Sequence, residues 1–228
     1  MDTQQDLTPV VTETLPVHSF VAGYLNARRQ SGLAQITRKP WGITVRYGPG
    51  MNRQAEHFVS GATGPDAVTP SAGDWLTVLG DEATATPVGF ALLPRANEFF
   101  MAADLCALCQ SLDAAEGRVT AAPVTVFPTA ASALFRHEVQ GQPVSSACCA
   151  LALDGDAVLD RLTTDPAHRG LGLARSLTRA AATWALARGC QRLLLIASTE
   201  GHALYRRLGF ETLAPVHVFT VEKQSHAR

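Results

Sequence analysis

Thr163-Thr164-Asp165-Pro166-Ala167-His168-Arg169-Gly170-Leu171-Gly172-Leu173-Ala174 joins an apolar strand pattern to a long helical pattern through an arginine and two glycines. Such a junction binds anions. The first turn of a helix has backbone N–H groups without intrahelical acceptors and carries the positive end of the macrodipole, so an approaching phosphate meets several aligned donors. A Gly-x-Gly alone is equally the mark of an ordinary turn. What surrounds the stretch has to separate the two readings.

Upstream, Ala133–Val139 and Pro143–Leu153 flank Gly141-Gln142-Pro143 and read as a hairpin, and Asp154-Gly155-Asp156 turns the chain into the run Ala157–Thr164. Three adjacent antiparallel strands are expected. Downstream, Leu173, Leu177, Ala180, Ala181, Trp184 and Ala185 recur at helical spacing, with Arg175, Arg179 and Arg188 largely between them and Gly189 as a stop. This is the pattern of an amphipathic helix. Leu193–Ile196 then suits a strand buried on both faces. Strand, helix and strand make a βαβ crossover, which sets the two strands parallel. A short helix from Gly201 to Leu208 ends at Gly209, and Phe210–Leu213 and Val216–Glu222 finish the sheet.

The earlier part of the chain is strand-rich. After a polar lead-in over residues 1–15, partial helical spacing runs from Val17 to Gln30 with Gly32 to end it. Strand patterns follow at Trp41–Tyr47, Gln54–Ser60, Trp75–Leu79 and Pro87–Leu93, with a Gly-, Pro-, Thr- and Ser-rich loop at Gly61–Gly73. Glu98–Leu112 can be strand or helix, since a short apolar run does not decide by periodicity. Asp113–Arg118 is the most polar break, and a soft boundary there divides residues 1–115 from residues 116–228.

The 228 residues suffice for a sizeable core without metal or disulfide staples. With 46% hydrophobic and 17% charged residues the composition is that of a globular protein, and no apolar run has the length of a membrane span. A net charge of -1 argues against nucleic-acid binding and makes any anion site local. No basic segment followed by an apolar one marks the N-terminal stretch, so a cytoplasmic protein is expected. The five cysteines fit no disulfide framework, and Cys106-x-x-Cys109 lies in an apolar run without a second such pair. These cysteines are expected to be buried small residues, and no metal is predicted.

Two motifs now stand in order. Arg169-Gly-Leu-Gly172-Leu-Ala174 fits Gln/Arg-x-x-Gly-x-Gly/Ala, and Tyr205-Arg-Arg-Leu-Gly209-Phe210 fits Tyr-x-x-x-Gly-Phe after the next strand. From Ala133 to Phe210 the chain resembles the GNAT superfamily of acyl-CoA-dependent N-acetyltransferases. The resemblance implies an α/β (α+β) fold, a mixed and mostly antiparallel sheet with a βαβ crossover. In that superfamily, strand-rich leading segments can look like a degenerate second copy of the fold, which gives residues 1–115 a candidate origin. A dinucleotide site is set aside, because Arg175 stands where the third glycine of Gly-x-Gly-x-x-Gly belongs.

The resemblance further implies acetyl-CoA as co-substrate. Its pyrophosphate would lie against the backbone N–H groups of Leu171, Gly172, Leu173 and Ala174, in the loop that holds Gly170, with Arg169 and Arg175 nearby and His168 a further candidate. The strand through Thr163 and Thr164 would splay from the strand through Leu193–Ala197 and leave a slot for the pantetheine arm. Tyr205 is the candidate general acid, since a phenol near the sulfur can protonate the departing thiolate. Its alternative role is a ring packed under the cofactor. Asp160 is a candidate base and Glu138 another. Many family members carry Asn-x-x-Ala before the tyrosine helix, with the Asn bonding the cofactor arm; the matching positions here are Ser198 and Gly201. The expected activity is acetyl transfer to a primary amine, on a small molecule or a peptide, by direct attack in a ternary complex. The other reading is a non-catalytic acyl-CoA-binding or regulatory domain. The oligomeric state is left open, a dimer included.

Overall fold

The computed structural model describes residues 15–28, 34–48, 53–60, 67–80, 86–93, 97–114 and 123–221. Residues 1–14 of the lead-in, the stop at Gly32, the first part of the Gly61–Gly73 loop and most of the polar break at Asp113–Arg118 lie outside them. Within the described residues the elements run α1 (Val17–Ala27), β1 (Ala34–Lys39), β2 (Gly42–Tyr47), β3 (Ala55–Ser60), β4 (Trp75–Leu79), β5 (Ala91–Leu92), β6 (Glu98–Asp104) and α2 (Leu105–Ala114). They continue with β7 (Thr125–Pro128), β8 (Ser132–Val139), β9 (Gln142–Leu151), β10 (Asp156–Thr164), α3 (Leu173–Leu186), β11 (Arg192–Ser198), α4 (Thr199–Leu208) and β12 (Glu211–Thr220).

The strands form a single sheet in the order β1-β2-β3-β4-β12-β6-β11-β10-β9-β8-β7, with β5 on the end of β12. Neighbours are antiparallel except β3 with β4 and β10 with β11. The order has an internal correspondence. Each half is an antiparallel run that reaches a parallel pair, and beyond each pair lies a strand from the other half of the sequence. β6 thus sits between β11 and β12, and the sheet continues across the boundary expected near residues 113–118.

Several elements depart from the sequence reading for local reasons. Glu98–Leu112 is strand and then helix, and the switch falls at Asp104, whose carboxylate accepts the N–H of Ala107 at 2.8 Å and starts α2. Cys106 on that helix is exposed and Cys109 half-buried, so this pair is not the buried filler expected. Pro87–Leu93 contributes only the two-residue β5. The two runs expected after Phe210 are one strand, β12, with a register shift between Thr212 and Ala214 beside Pro215, which has no N–H to give to a ladder. Strands β1 and β7 were not read. Both are outer strands with mostly exposed residues, so no core face imposes alternation on them.

Among the described residues, the two largest apolar clusters cover the two faces of the sheet. On one, Leu177, Ala181 and Ala185 of α3 pack with Leu105, Leu108 and Leu112 of α2 on Phe135, Leu159, Leu193 and Leu195. Leu177 is fully buried, which stabilises by about 1.5–3 kcal/mol, so truncation to alanine there would loosen α3 from the sheet. On the other face, Phe20, Val21, Tyr24 and Leu25 of α1 pack on Val45, Phe58, Phe100 and Val158. Gly23 lets α1 approach β10 closely: a Cβ there would fall 2.5 Å from Cγ2 of Val158. This contact sets the end of α1 beside the C-terminal half of β10. No described helix is long and apolar enough to cross a membrane.

Candidate functional site

Strands β10 and β11 pair in parallel at Asp156 with Arg192, Ala157 with Leu193 and Val158 with Leu194, and then separate. The cause lies in β10. Its register against β9 shifts between Asp160 and Thr163, and Arg161 adopts φ 53°. A bulge of this kind bends a strand and increases its twist. Meanwhile β11 stays paired with β6 as far as Ser198. The unpaired edge of β10 and the end of β11 bound a cleft of about 810 Å³. Leu159–Thr164 form one wall, Ile196–Ser198 the other, Gly201, Leu204 and Tyr205 of α4 line it further, and His168, Arg169, Gly170 and Gly172 close it against α3, while the Leu171 side chain is exposed and outside the lining.

At the α3 end the backbone is arranged for an anion. Asp165 accepts the N–H of Ala167 at 2.8 Å and anchors a single 3-10 turn, Pro166–His168. Gly172, at φ 77°, is the N-cap of α3 and makes no side-chain cap bond. Glycine enters this left-handed region without the Cβ conflict that other residues suffer. Ser176 is the first residue whose N–H returns to Gly172, at 3.0 Å, so the N–H groups of Leu173 and Ala174 have no intrahelical acceptor. Arg169 pairs with Glu200 at 3.2 Å, and both side chains are largely exposed. Such a pair is worth about 0–1 kcal/mol, so the guanidinium is free to exchange it for a phosphate.

Arg175 lines the same end, but its guanidinium donates to the carbonyls of Ser111 and Leu112 at 3.1 and 3.0 Å. It braces the end of α2 against α3. Arg207 of α4 also lines the cleft, a residue the sequence reading missed because nothing in the spacing of α4 distinguishes it from Arg206.

Tyr205 sits where the strands part. Its ring packs edge-on against Phe210 at 5.2 Å, and it is 7% exposed. Burial, with a smaller contribution from the charge of Asp160, pushes its phenol well above the usual range, so the hydroxyl keeps its proton. Gly201 lies beneath the ring, and a Cβ there would be 3.6 Å from Tyr205 Cε2.

Asp160 lines the cleft as well, but both its oxygens are engaged. Oδ2 accepts from Arg28 Nε at 2.8 Å and Oδ1 from Arg28 Nη2 at 3.2 Å. No local pattern announces this partner, since Arg28, the C-cap of α1, stands 132 residues away along the chain. Ser198 caps α4, its Oγ accepting the N–H of Gly201 at 3.2 Å, and its hydroxyl hydrogen remains available to the cleft it lines. Thr163 and Thr164 line the cleft too, their hydroxyls within 3.2 and 2.9 Å of Ser146 and Ser145 on β9. Glu138, near the far end of β8, is not among the lining residues.

Residues 103–210 match the family described as Acetyltransferase (GNAT) family. That stretch is thus similar in sequence to GNAT acetyltransferase domains. The match begins in β6, before the expected boundary, and it spans the cleft from both parted strands to Phe210. Solved structures share the fold over most of the chain. A GCN5-related N-acetyltransferase from Kribbella flavida is similar with a TM-score of 0.58 at 16% identity, covering 88% of this chain and 93% of that one. A GNAT-family protein from Novosphingobium aromaticivorans gives 0.55 at 16% identity, with 90% and 98% covered. A GCN5-related N-acetyltransferase-like protein from Streptococcus suis gives 0.52 at 15% identity, with 84% and 89% covered. No curated protein matches in sequence. The shared fold includes the N-terminal strands of the sheet as well as the matched stretch.

Proposed function

We propose that the protein transfers an acetyl group from acetyl-CoA to a primary amine by direct attack in a ternary complex. The observation that carries this reading is the opening between β10 and β11, which extends from the buried hydroxyl-bearing residue Tyr205 to the uncapped start of α3. The pyrophosphate would rest on Leu171, Gly172, Leu173 and Ala174, with Gly170 giving access and Arg169 as counter-charge. Charge-assisted bonds of this kind contribute about 1.5–3 kcal/mol each, enough in small number for a micromolar site. The pantetheine arm would take the free edge of β10 near Thr163 and Thr164, with Ser198 as an added donor.

The amine nitrogen attacks the thioester carbonyl, the C–S bond breaks, and Tyr205 gives its proton to the departing sulfur. Burial keeps that proton on the phenol until the thiolate develops, which suits an acid. Engaged by Arg28, Asp160 is better suited to orienting the junction of cleft and α1 than to taking the amine's proton, which would leave through water in the cleft. The same reading takes residues 1–115 as a degenerate GNAT-like half, supported by their own parallel pair β3 and β4.

Thiol release from acetyl-CoA in the presence of an amine panel tests the proposal. Thermal stabilisation by coenzyme A with no turnover on any amine would instead support an acyl-CoA-binding domain.

A further inference from the structure

Beside the cleft, on the face of the sheet that carries α1, lies a second pocket of about 600 Å³. Arg28, Arg136 and Arg161 line it with the hydroxyls of Ser132, Ser146 and Thr163, and no carboxylate is among the described lining residues. Arg161 and Thr163 line both spaces, so the pocket adjoins the cleft at the bulge of β10, where the strands have parted. We infer that this pocket receives the acceptor, and that the acceptor is an anionic amine whose own oxyanion, a carboxylate or a phosphate, is held by Arg136 and Arg161. This inference rests on the acetyl-transfer reading.

The charge balance supports it. Arg28 is matched by Asp160 in a two-point ion pair. Arg161 reaches the same carboxylate only at 3.8 Å and donates from Nη2 to the carbonyl of Ala27 at 2.7 Å, which leaves other N–H groups of its fork unassigned. Arg136 has no carboxylate partner among the described residues. Its guanidinium lies 5.3 Å from the Phe127 ring centroid, and its cross-strand neighbours, Thr125 and Ser146, are neutral. Three guanidinium groups against one carboxylate leave an excess of two positive charges around one concavity. Like charges gathered this way repel unless an anion joins them, and the planar fork of arginine matches a carboxylate or phosphate.

The backbone points the same way. Arg161 occupies the left-handed region at φ 53° without being glycine, and strain of this kind gathers at ligand sites. The same surplus charge would repel a cationic acceptor such as a polyamine, so it selects by rejection as well as by attraction.

The test uses the full chain with acetyl-CoA and paired acceptors: amino acids against their amides, and aminoalkyl phosphates against the corresponding amino alcohols. The first pair tests the carboxylate and the second the phosphate. Turnover is followed by thiol release, and binding of the N-acetylated products to the coenzyme A-loaded protein is followed by calorimetry. At least one anionic series should exceed its neutral counterpart by roughly ten- to a hundred-fold in kcat/KM or in affinity. Arg136→Ala should remove most of that ratio through KM, and Arg136→Lys should recover part of it. Coenzyme A affinity serves as the control for folding in both variants. Neutral or cationic amines used as well as anionic ones would overturn the inference and leave acetyl transfer intact. Coenzyme A binding with no acceptor of either series bound or used would overturn it too. Failure of coenzyme A itself to bind would overturn the underlying acetyl-transfer reading, and the inference with it.

Discussion

The two parallel pairs of the sheet have opposite fates. β10 and β11 part after three residue pairs, whereas β3 and β4 stay in register over five, from Glu56 with Trp75 to Ser60 with Leu79. The open pair is joined by α3, whose start faces the gap, and one of its strands is bent by a bulge. The closed pair has no such bend in its register, and the described part of its connection, residues 67–74, contains no α-helix. Polar side chains fill the ground around it. Glu56 is 3.2 Å from Arg53 and accepts from Tyr47 and Thr77 at 3.0 and 2.8 Å, and His57 lies between Thr44 and Asp74 at 3.0 and 3.2 Å. The lesson is one of satisfaction. A parallel pair that stays closed meets its own hydrogen-bonding needs, and one that opens leaves strand edge and helix start to a ligand.

The comparison breaks most readily at Tyr205. Tyr205→Phe should lower kcat by about 100- to 10,000-fold while calorimetric affinity for coenzyme A changes little. Full turnover would remove the acid from the open pair. Next in size is the closed pair, where Glu56→Ala leaves Arg53 buried without its carboxylate. A loss of about 3–5 kcal/mol in urea unfolding is expected, with coenzyme A affinity of the folded fraction retained. A loss of coenzyme A affinity instead would show that the closed pair serves the ligand directly.

A smaller effect is expected at Gly172→Val, which forces a β-branched residue to φ 77° at a strain of about 1–2 kcal/mol and puts side-chain bulk at the anion site. The dissociation constant for coenzyme A should rise by about ten-fold or more, read by calorimetry. The least effect comes from alkaline pH. Tyr24, Tyr47 and Tyr205 hold their protons above the ordinary value of 10.0, mainly through burial. The folded state therefore holds tyrosine protons that the unfolded chain releases, so the contribution of these tyrosines to stability is intact below pH 10 and is lost as pH rises beyond it. Turnover should likewise show no loss from ionisation of Tyr205 below pH 10. An unfolding midpoint that holds steady well above that pH would contradict these directions.

Much of the C-terminal half was legible because its signals are local. Gly172 before an amphipathic run and Gly209 after a short helix each mark a helix end by backbone chemistry alone, and both fall where expected. The outer strands β1 and β7 were not legible, because residues solvated on both faces need not alternate. Nor was the pairing of Asp160 with Arg28, which lie 132 residues apart in the chain.

By itself the sequence determined the order of strand, glycine-bearing helix start, buried strand and tyrosine helix, since each depends on neighbours within a few residues. Tertiary structure alone decided that β6 would slot between β11 and β12, that Arg175 would turn to α2 and that Asp160 would be held by Arg28. It also decided that three arginines from α1, β8 and β10 would meet around one pocket. These outcomes depend on which distant surfaces pack together, as when Gly23 lets α1 settle on Val158, and no local spacing records that choice.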